Sequence, residues 1–191
     1  MSADMNLGYA MCGSFCTFEK SIKEMELLAQ KHNVFPIMSE TAYSTDTRFG
    51  ASADIVKRIE AICGRSVLHT IVETEPLGPK KIIDMLVVAP CTGNTAAKIA
   101  LGITDTSVTM AVKSALRIGT PIILALATND GLGATGQNFG RLVNRKNIFF
   151  VPLNQDDPVK KPTSLVADFG QIESTMMLAA DNVQIQPVFW Q

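Results

Sequence analysis

Four short stretches rich in glycine, serine and threonine each follow directly after an apolar run. They are residues 13–14, Ser39, residues 90–95 and residues 128–136. Hydroxyl groups and free backbone N–H groups are the donors that proteins place around a phosphate, and small side chains let a ligand approach the backbone. The pattern therefore predicts a binding site for a phosphorylated ligand.

The first of these stretches has the spacing of a triphosphate-binding loop, from Gly8 to Gly13-Ser14. It lacks the lysine that reaches the terminal phosphates in such loops, which excludes a P-loop NTPase. The backbone N–H groups and the Ser14 hydroxyl still suit a monophosphate at the start of the following helix.

The fourth stretch contains Gly131, Gly133 and Gly136 in the dinucleotide pattern G-x-G-x-x-G, and Asp156 lies twenty positions after Gly136. Three residues separate the preceding apolar run from Gly131, whereas the dinucleotide motif begins close to its strand. We interpret this stretch as a mobile loop over the ligand site, with a nicotinamide site as the alternative.

Buried strands and amphipathic helices alternate along the chain. Apolar runs predict strands at residues 7–12, 34–38, 66–72, 85–89, 121–127 and 148–151, with Pro90 ending the run at 85–89. Periodic segments predict helices at residues 14–32, 52–61, 108–118, 138–146 and 171–181, and one from Asn94 or Thr95 to Leu101. The residues 183–190 are expected to be extended around Pro187.

This alternation predicts an α/β fold, a Rossmann-like (flavodoxin-like) three-layer sandwich with a parallel sheet and helices on both faces. No internal repeat or linker divides the chain, so we expect a single domain over residues 1–191. Ligands of such sheets bind beyond the carboxyl ends of the strands, where all four polar stretches are expected to lie.

Composition excludes several classes of protein. The 17 basic and 18 acidic residues give no surplus of positive charge for a general nucleic-acid binder. No apolar run is long enough for a membrane span, and the first six residues lack the basic start of a signal peptide, so we expect a cytoplasmic protein. Four cysteines without a C-x-x-C pair and two distant histidines predict no metal site.

The stretch from Ala89 to Asp105 resembles the signature of the flavin-containing cysteine decarboxylase superfamily, whose members read Ala-Pro-Ala-Ser-Ala-Asn-Thr before a helix of small residues. Gly13-Ser14 with Lys20, and residues 38–42, look like its first and second strand turns. The resemblance covers about residues 5–155 and implies a flavin mononucleotide (FMN) cofactor. The cofactor-binding residues that we infer are Gly13, Ser14, Phe15, Ser39, Pro90, Cys91, Thr92, Asn94, Thr95, Thr128 and Asn129.

Within that superfamily the chain is similar to one branch, on the basis of residues 127–131, 146–157, 161–168 and 184–187. The resemblance implies one subunit of a two-subunit oxidoreductase that converts dihydrodipicolinate to dipicolinate (pyridine-2,6-dicarboxylate) in the mother cell of sporulating bacteria. The partner is then a separate subunit, and NAD(P) is expected on that subunit and not on this chain. The superfamily also implies self-association as a trimer or a multiple of one.

The chain departs from the decarboxylases where their catalytic histidine lies, about eight residues before the aspartate that opens the third strand. Here that position is Pro76, beside Glu75, and His69 lies further upstream. Only Asn129 remains of the substrate clamp, so the catalytic residues stay unknown. Two alternatives remain open, a structural subunit that has lost its cofactor and a flavin-dependent decarboxylase that uses His69.

An acidic substrate requires cationic side chains near the ligand site. Arg48, Lys80 and Lys81 lie in loops that we expect near the ligand-binding edge of the sheet. The alternative interpretation is that each of these three cations is a solvated surface residue with no role in binding.

Overall fold

A parallel sheet of five strands forms the centre of the protein. The computed structural model describes residues 4–190, so residues 1–3 and 191 of the expected domain lie outside the described residues. In the order in which they pair, the five strands are β2 (Asn33–Met38), β1 (Asn6–Met11), β3 (Met85–Cys91), β4 (Ile122–Thr128) and β5 (Ile148–Phe150).

Two short strands extend this sheet at the carboxyl end of β4. They are β6 (Leu153–Asn154) and β7 (Leu165–Ala167), and both pairings, β4 with β7 and β6 with β7, are antiparallel. The sheet of seven strands is therefore mostly parallel. Sequence analysis missed β6 and β7, because strands of two and three residues are too short to show a period.

Within the described part of the chain, eight α-helices surround the sheet. They are α1 (Phe18–Ala29), α2 (Glu40–Ser44), α3 (Ser52–Cys63), α4 (Ile71–Thr74), α5 (Gly93–Leu101), α6 (Ser107–Leu116), α7 (Ala134–Val143) and α8 (Ile172–Ala180). Single 3₁₀ turns precede α1 and α8 and follow α4, at Phe15–Thr17, Phe169–Gln171 and Glu75–Leu77.

Helix α1 shows why these segments fold onto the sheet. Its residues Phe18, Ile22, Met25 and Leu28 recur every three or four positions, and all four side chains are buried. Burial of each such side chain contributes roughly 1.5–3 kcal/mol to stability. The central strand β3 is buried throughout and β1 is buried after its first residue, as expected for a parallel sheet with helices on both faces.

The helices form one layer on each face of the sheet. Lys31 at the end of α1 and Glu173 in α8 form an ion pair of 2.7 Å on one face. Helices α4, α5, α6 and α7 contact one another on the other face. The predicted three-layer α/β fold is confirmed.

The predicted strand at residues 66–72 is wrong. Only Leu68 forms a bridge, to Ile37 of β2, and the chain then enters α4. Thr70 and Glu73 cap this helix reciprocally, since the Thr70 side chain accepts from the Glu73 N–H and the Glu73 side chain accepts from the Thr70 N–H. The sequence Thr-x-x-Glu is the pattern of a capping box and indicates a helix start, whereas the apolar residues of this segment had indicated a strand.

Three predicted boundaries are also corrected. Strand β3 continues through Pro90, whose carbonyl accepts from the Cys12 N–H at 3.1 Å. Helix α5 is capped by Thr92 and not by Asn94 or Thr95. Helix α7 begins at Ala134, inside the stretch interpreted as a loop.

Among residues 4–190, no helix combines the length and the apolar character that a membrane crossing requires.

Candidate functional site

A cleft of about 580 Å³ lies at the edge of the sheet where β1, β3 and β4 end. This is the edge at which open parallel sheets bind their ligands, and the volume lies within the range of small-molecule sites. Six of the residues inferred from the sequence line the cleft: Gly13, Ser14, Phe15, Thr92, Thr128 and Asn129.

The segment after β1 presents free donors to this cleft. The 3₁₀ turn uses the N–H groups of Thr17 and Phe18, which donate to the carbonyls of Ser14 and Phe15. The N–H groups of Phe15 and Cys16 precede the first internal donor, so they have no carbonyl within the turn to bond. The Ser14 side chain does not cap the turn, and its hydroxyl lies 3.9 Å from the Cys16 sulfur.

This segment fits a phosphate monoester. Two N–H groups and one hydroxyl are available, and Lys20 in the first turn of α1 lines the same cleft. A Cβ added to Gly13 would meet its nearest atom, on the Phe15 ring, only at 3.5 Å, so space remains above the backbone. The arrangement matches the anion-binding geometry of helix starts.

Five of the inferred residues do not line the cleft. Ser39 caps α2, with its side chain accepting from the Ala42 N–H at 3.2 Å. Pro90 and Cys91 are buried because they continue β3 into the core. Asn94 is exposed in the first turn of α5, and Thr95 is buried.

Thr95 instead connects α5 to the end of β1. The Thr92 hydroxyl donates to the Thr95 hydroxyl at 3.1 Å, and this hydroxyl donates to the Cys12 sulfur at 3.3 Å. Burial raises the pKa of the Cys12 thiol to about 11, although the hydrogen bond from Thr95 opposes the shift. Cys12 is therefore a neutral thiol at physiological pH and is not a nucleophile.

The glycine-rich stretch after β4 is organised around the Asp130 carboxylate. The hydroxyls of Thr128 and Thr135 each donate to Asp130 Oδ1 at 2.6 Å, and these two hydrogen bonds lower the pKa of Asp130. The Asp130 carbonyl accepts from the N–H groups of Gly133 and Thr135. The N–H groups of Gly133 and Thr135 at this helix start are thus already bonded and are not available to a pyrophosphate, which argues against the nicotinamide alternative.

The comparisons with known proteins agree with this architecture. The sequence profile of the family described as Flavoprotein matches residues 1–181. The B subunit of dipicolinate synthase from Bacillus subtilis (strain 168) is 43% identical over 183 residues, 95% of this chain and 92% of that protein. The chain belongs to the Flavoprotein family.

Two solved structures show where the Flavoprotein fold is shared. The B subunit of dipicolinate synthase from Bacillus halodurans C superposes with a TM-score of 0.90 at 38% identity, covering 99% of this chain and 97% of that one. The FMN-dependent cysteine decarboxylase SpaF has a TM-score of 0.71 at 22% identity, covering 93% of this chain and 98% of that one. The second likeness concerns the fold alone.

Three cationic side chains line the cleft of this Flavoprotein chain. Lys20, Arg48 and Lys161 all contribute, and Asp156 is the acidic residue among them. Lys161 donates to Asp156 at 2.8 Å, and this hydrogen bond lowers the pKa of Asp156. The cleft therefore carries a net positive charge and favours an anionic ligand.

Lys80 and Lys81 lie elsewhere, contrary to expectation. They precede β3, where Asp84 accepts from the Asn6 N–H at the start of β1. The loop that carries them leads into the amino end of β3. They therefore lie at the edge of the sheet opposite the cleft, which is at the carboxyl ends of the strands. Arg48 is the one of the three predicted cations that lines the cleft.

His69 is not among the residues that line the cleft. Its ring stacks on Tyr43 at 3.8 Å between centroids, and its Nδ1 lies 3.8 Å from the Glu73 carboxylate. Within residues 4–190 no group of three or more metal-ligating His, Cys, Asp and Glu side chains is found.

Sequence reasoning missed the far wall of the cleft. Lys161, Ser164 and Val166 reach it because β7 pairs with the end of β4, Ala127 with Val166 and Thr128 with Leu165. Residues 161–168 carry part of the resemblance described above, but no local pattern indicates the pairing. Sequence reasoning also missed Phe49, beside Arg48, because a single aromatic residue in a polar loop belongs to no periodic pattern or motif.

Proposed function

We propose that this chain binds FMN in the cleft and serves as the B-type subunit in the oxidation of dihydrodipicolinate to dipicolinate. The observation that carries the proposal is the cleft itself, a cationic site with free phosphate donors at residues 13–16, in a chain 43% identical to a dipicolinate synthase B subunit. We place its action in the cytoplasm of the sporulating mother cell, with residues 1–191 as one unit.

Different residues of the cleft bind different parts of the cofactor. Gly13, Ser14 and the N–H groups of Phe15 and Cys16 hold the phosphate. Thr92, Thr128 and Asn129 lie across the cleft, beside the ribityl chain and the ring. A bound flavin supplies an acceptor for the two electrons that leave the dihydropyridine ring, and the two protons leave with them.

The reaction needs a further acceptor in the cell, and we assign it to the partner, the A subunit, as the carrier of NAD(P). This division suits the glycine-rich stretch of the present chain, whose N–H groups are bonded internally around Asp130. The chain then contributes a flavin site and a face for docking to the A subunit.

A cysteine decarboxylase is the weaker interpretation. Proton transfer in that reaction requires a titratable group within reach of the substrate. Pro76 occupies the position of the expected histidine, and no histidine lines the cleft among the residues that the structure describes.

The absorbance spectrum of the freshly purified chain tests the proposal. We expect the visible flavin bands, either directly or after incubation with FMN and removal of the excess by gel filtration. A colourless protein that does not take up FMN would instead support a structural subunit that has lost its cofactor.

We expect self-association as a trimer or a multiple of one. Leu101, the last residue of α5, and Ile103, just after it, are 59% and 43% exposed, so two large apolar side chains close in sequence are open to a contact with another copy. Light scattering should give a mass above the 20.6 kDa of one chain. A stable monomer at micromolar concentration would contradict this expectation.

A further inference from the structure

We propose that Arg48 and Phe49 form a clamp for the substrate ring, in which the Arg48 guanidinium binds a ring carboxylate and the Phe49 ring stacks on the planar ring face. The inference rests on the proposed function for the identity of the ligand, a six-membered ring with two carboxylates. The choice of the two residues rests on the geometry of the cleft.

A tight turn presents the two side chains together. The N–H of Thr47 donates to the Gly50 carbonyl and the N–H of Gly50 donates to the Thr47 carbonyl, both at 3.1 Å. The N–H of Phe49 donates to the Thr47 hydroxyl at 3.1 Å. Gly50 has φ of +141°, a conformation that only glycine adopts readily, so the turn has a defined shape with Arg48 and Phe49 at its tip.

The turn is also fixed to the body of the protein. Asp46, just before it, accepts from the N–H and the hydroxyl of Ser52 at 2.8 and 2.9 Å, which ties the turn to the start of α3. A Cβ at Gly50 would lie 3.6 Å from the Ile55 side chain, within ordinary contact. The tip residues are therefore held against a helix of twelve residues and not on a free loop.

The side chains at the tip are available for a ligand. Arg48 is exposed, and it takes part in none of the ion pairs found among residues 4–190. Its guanidinium carbon lies over the Phe49 ring, 4.9 Å from the ring centre, so the cation contacts one face of that ring and a ligand ring would use the other. Phe49 itself is 46% exposed although it lines the cleft, so a planar ring placed on it would bury apolar surface that water now covers.

The chemistry of the pair matches a planar carboxylate-bearing ring. The guanidinium is a rigid fork that binds carboxylates through two parallel hydrogen bonds, and an aromatic face stacks on a flat ring. The phosphate donors at residues 13–16 belong to a different wall of the same cleft. The cofactor phosphate is thus assigned to residues 13–16, and the substrate ring is assigned to Arg48 and Phe49.

Calorimetric titration of pyridine-2,6-dicarboxylate into the full chain tests the clamp, in metal-free buffer because this ligand chelates divalent ions. The chain is loaded with FMN, and Arg48→Gln and Phe49→Leu are compared with the unchanged protein. Arg141→Gln and Phe189→Leu are the matched controls, since both residues are exposed and neither lines the cleft. We expect Arg48→Gln to weaken binding about tenfold, the effect of losing one charge-assisted contact, with both controls unchanged.

A saturated analogue separates the two halves of the clamp. Piperidine-2,6-dicarboxylate keeps the carboxylates but has no flat ring, so Phe49→Leu should weaken binding of the pyridine compound only. Arg48→Gln should weaken binding of both compounds. FMN affinity, measured separately by fluorescence quenching, should be unchanged in both variants.

The outcomes distinguish this inference from the proposed function. If the chain takes up no FMN, the titration is made on the cofactor-free chain, and selective loss of dicarboxylate binding in Arg48→Gln still supports the clamp. Dicarboxylate binding unaffected by Arg48→Gln, or absent in the unchanged protein, overturns the clamp and leaves FMN binding as it was found. Loss of FMN affinity in Arg48→Gln also overturns it, because Arg48 would then serve the phosphate.

Discussion

Ser14→Glu is expected to abolish FMN binding while leaving the fold intact. The new carboxylate would lie where the phosphate is proposed to bind, and placing like charges together costs several kcal/mol. A loss of about 3 kcal/mol corresponds to roughly a hundredfold weaker affinity. The fold should tolerate the change because Ser14 is only partly buried and its hydroxyl makes no capping hydrogen bond.

Quenching of FMN fluorescence during titration with the protein measures this effect, and thermal unfolding checks the fold. Ser174→Glu is the control, an exposed serine in α8 that does not line the cleft. Ser14→Ala removes one donor without adding charge and should weaken binding by about tenfold or less. Undiminished FMN affinity in Ser14→Glu would move the phosphate away from residues 13–16.

Gly78→Ala is expected to destabilise the protein by roughly 3 kcal/mol or more, because overpacking against a fixed backbone forces whole elements apart. An added Cβ would lie 1.9 Å from the backbone oxygen of Ser114 and 2.3 Å from its carbonyl carbon. Ser114 lies inside α6, so the helix would have to move. The backbone of Gly78 is in the right-handed helical region, so the cost arises from contact and not from conformation.

Two hydrogen bonds depend on the close contact between Gly78 and α6. The Gly78 N–H donates to the Ser114 hydroxyl at 2.7 Å, and this hydroxyl donates to the Glu75 carbonyl at 2.7 Å. Moving α6 away breaks both of them in a buried place, where unsatisfied groups are costly. These bonds attach the turn before β3 to the helix layer on that face.

Urea unfolding measures the change in the free energy of unfolding. Gly140→Ala is the matched control, since Gly140 lies in α7 and its added Cβ would have no neighbour within 4 Å. That change should stabilise the protein by about 0.5–1 kcal/mol, because alanine favours a helix more than glycine does. If Gly78→Ala cost less than about 1 kcal/mol, the close packing of this turn on α6 would be refuted.

The parallel part of the fold was predictable from the sequence because its strands are apolar runs, and β1 to β4 are each followed by a small polar turn. Residues 7–12 and 121–127 illustrate this, since both strands occur within one residue of those limits. The place of the site followed from the same reasoning, because the carboxyl ends of parallel strands share an edge. Ser14, Thr92 and Thr128 therefore meet at one cleft.

Other features depend on contacts between distant parts of the chain. The hydroxyl of Thr95 looked available for a ligand, but it is directed to Cys12, 83 positions away. Lys161 and Ser164 reach the cleft because β7 pairs with β4 at two positions and because the hydroxyls of Thr163 and Ser164 donate to carbonyls at and just after the end of β4. Nothing in a local pattern distinguishes a threonine that binds a ligand from one that satisfies a neighbouring strand.

That two-position pairing bears on how quickly a ligand can enter and leave. The wall formed by residues 161–166 pairs with the sheet at Ala127 and Thr128. Three further hydrogen bonds hold it, from the Thr163 hydroxyl to the Asn129 carbonyl, from the Ser164 hydroxyl to the Thr128 carbonyl and from the Leu132 N–H to the Thr163 carbonyl. Opening the wall breaks these bonds and exposes the buried Ser164 and Leu165, but it leaves the five parallel strands paired, so its free energy is below that of global unfolding. We expect ligand release from the cleft to require this local opening, whereas the N–H groups and the Ser14 hydroxyl of residues 13–16 are proposed to hold the phosphate.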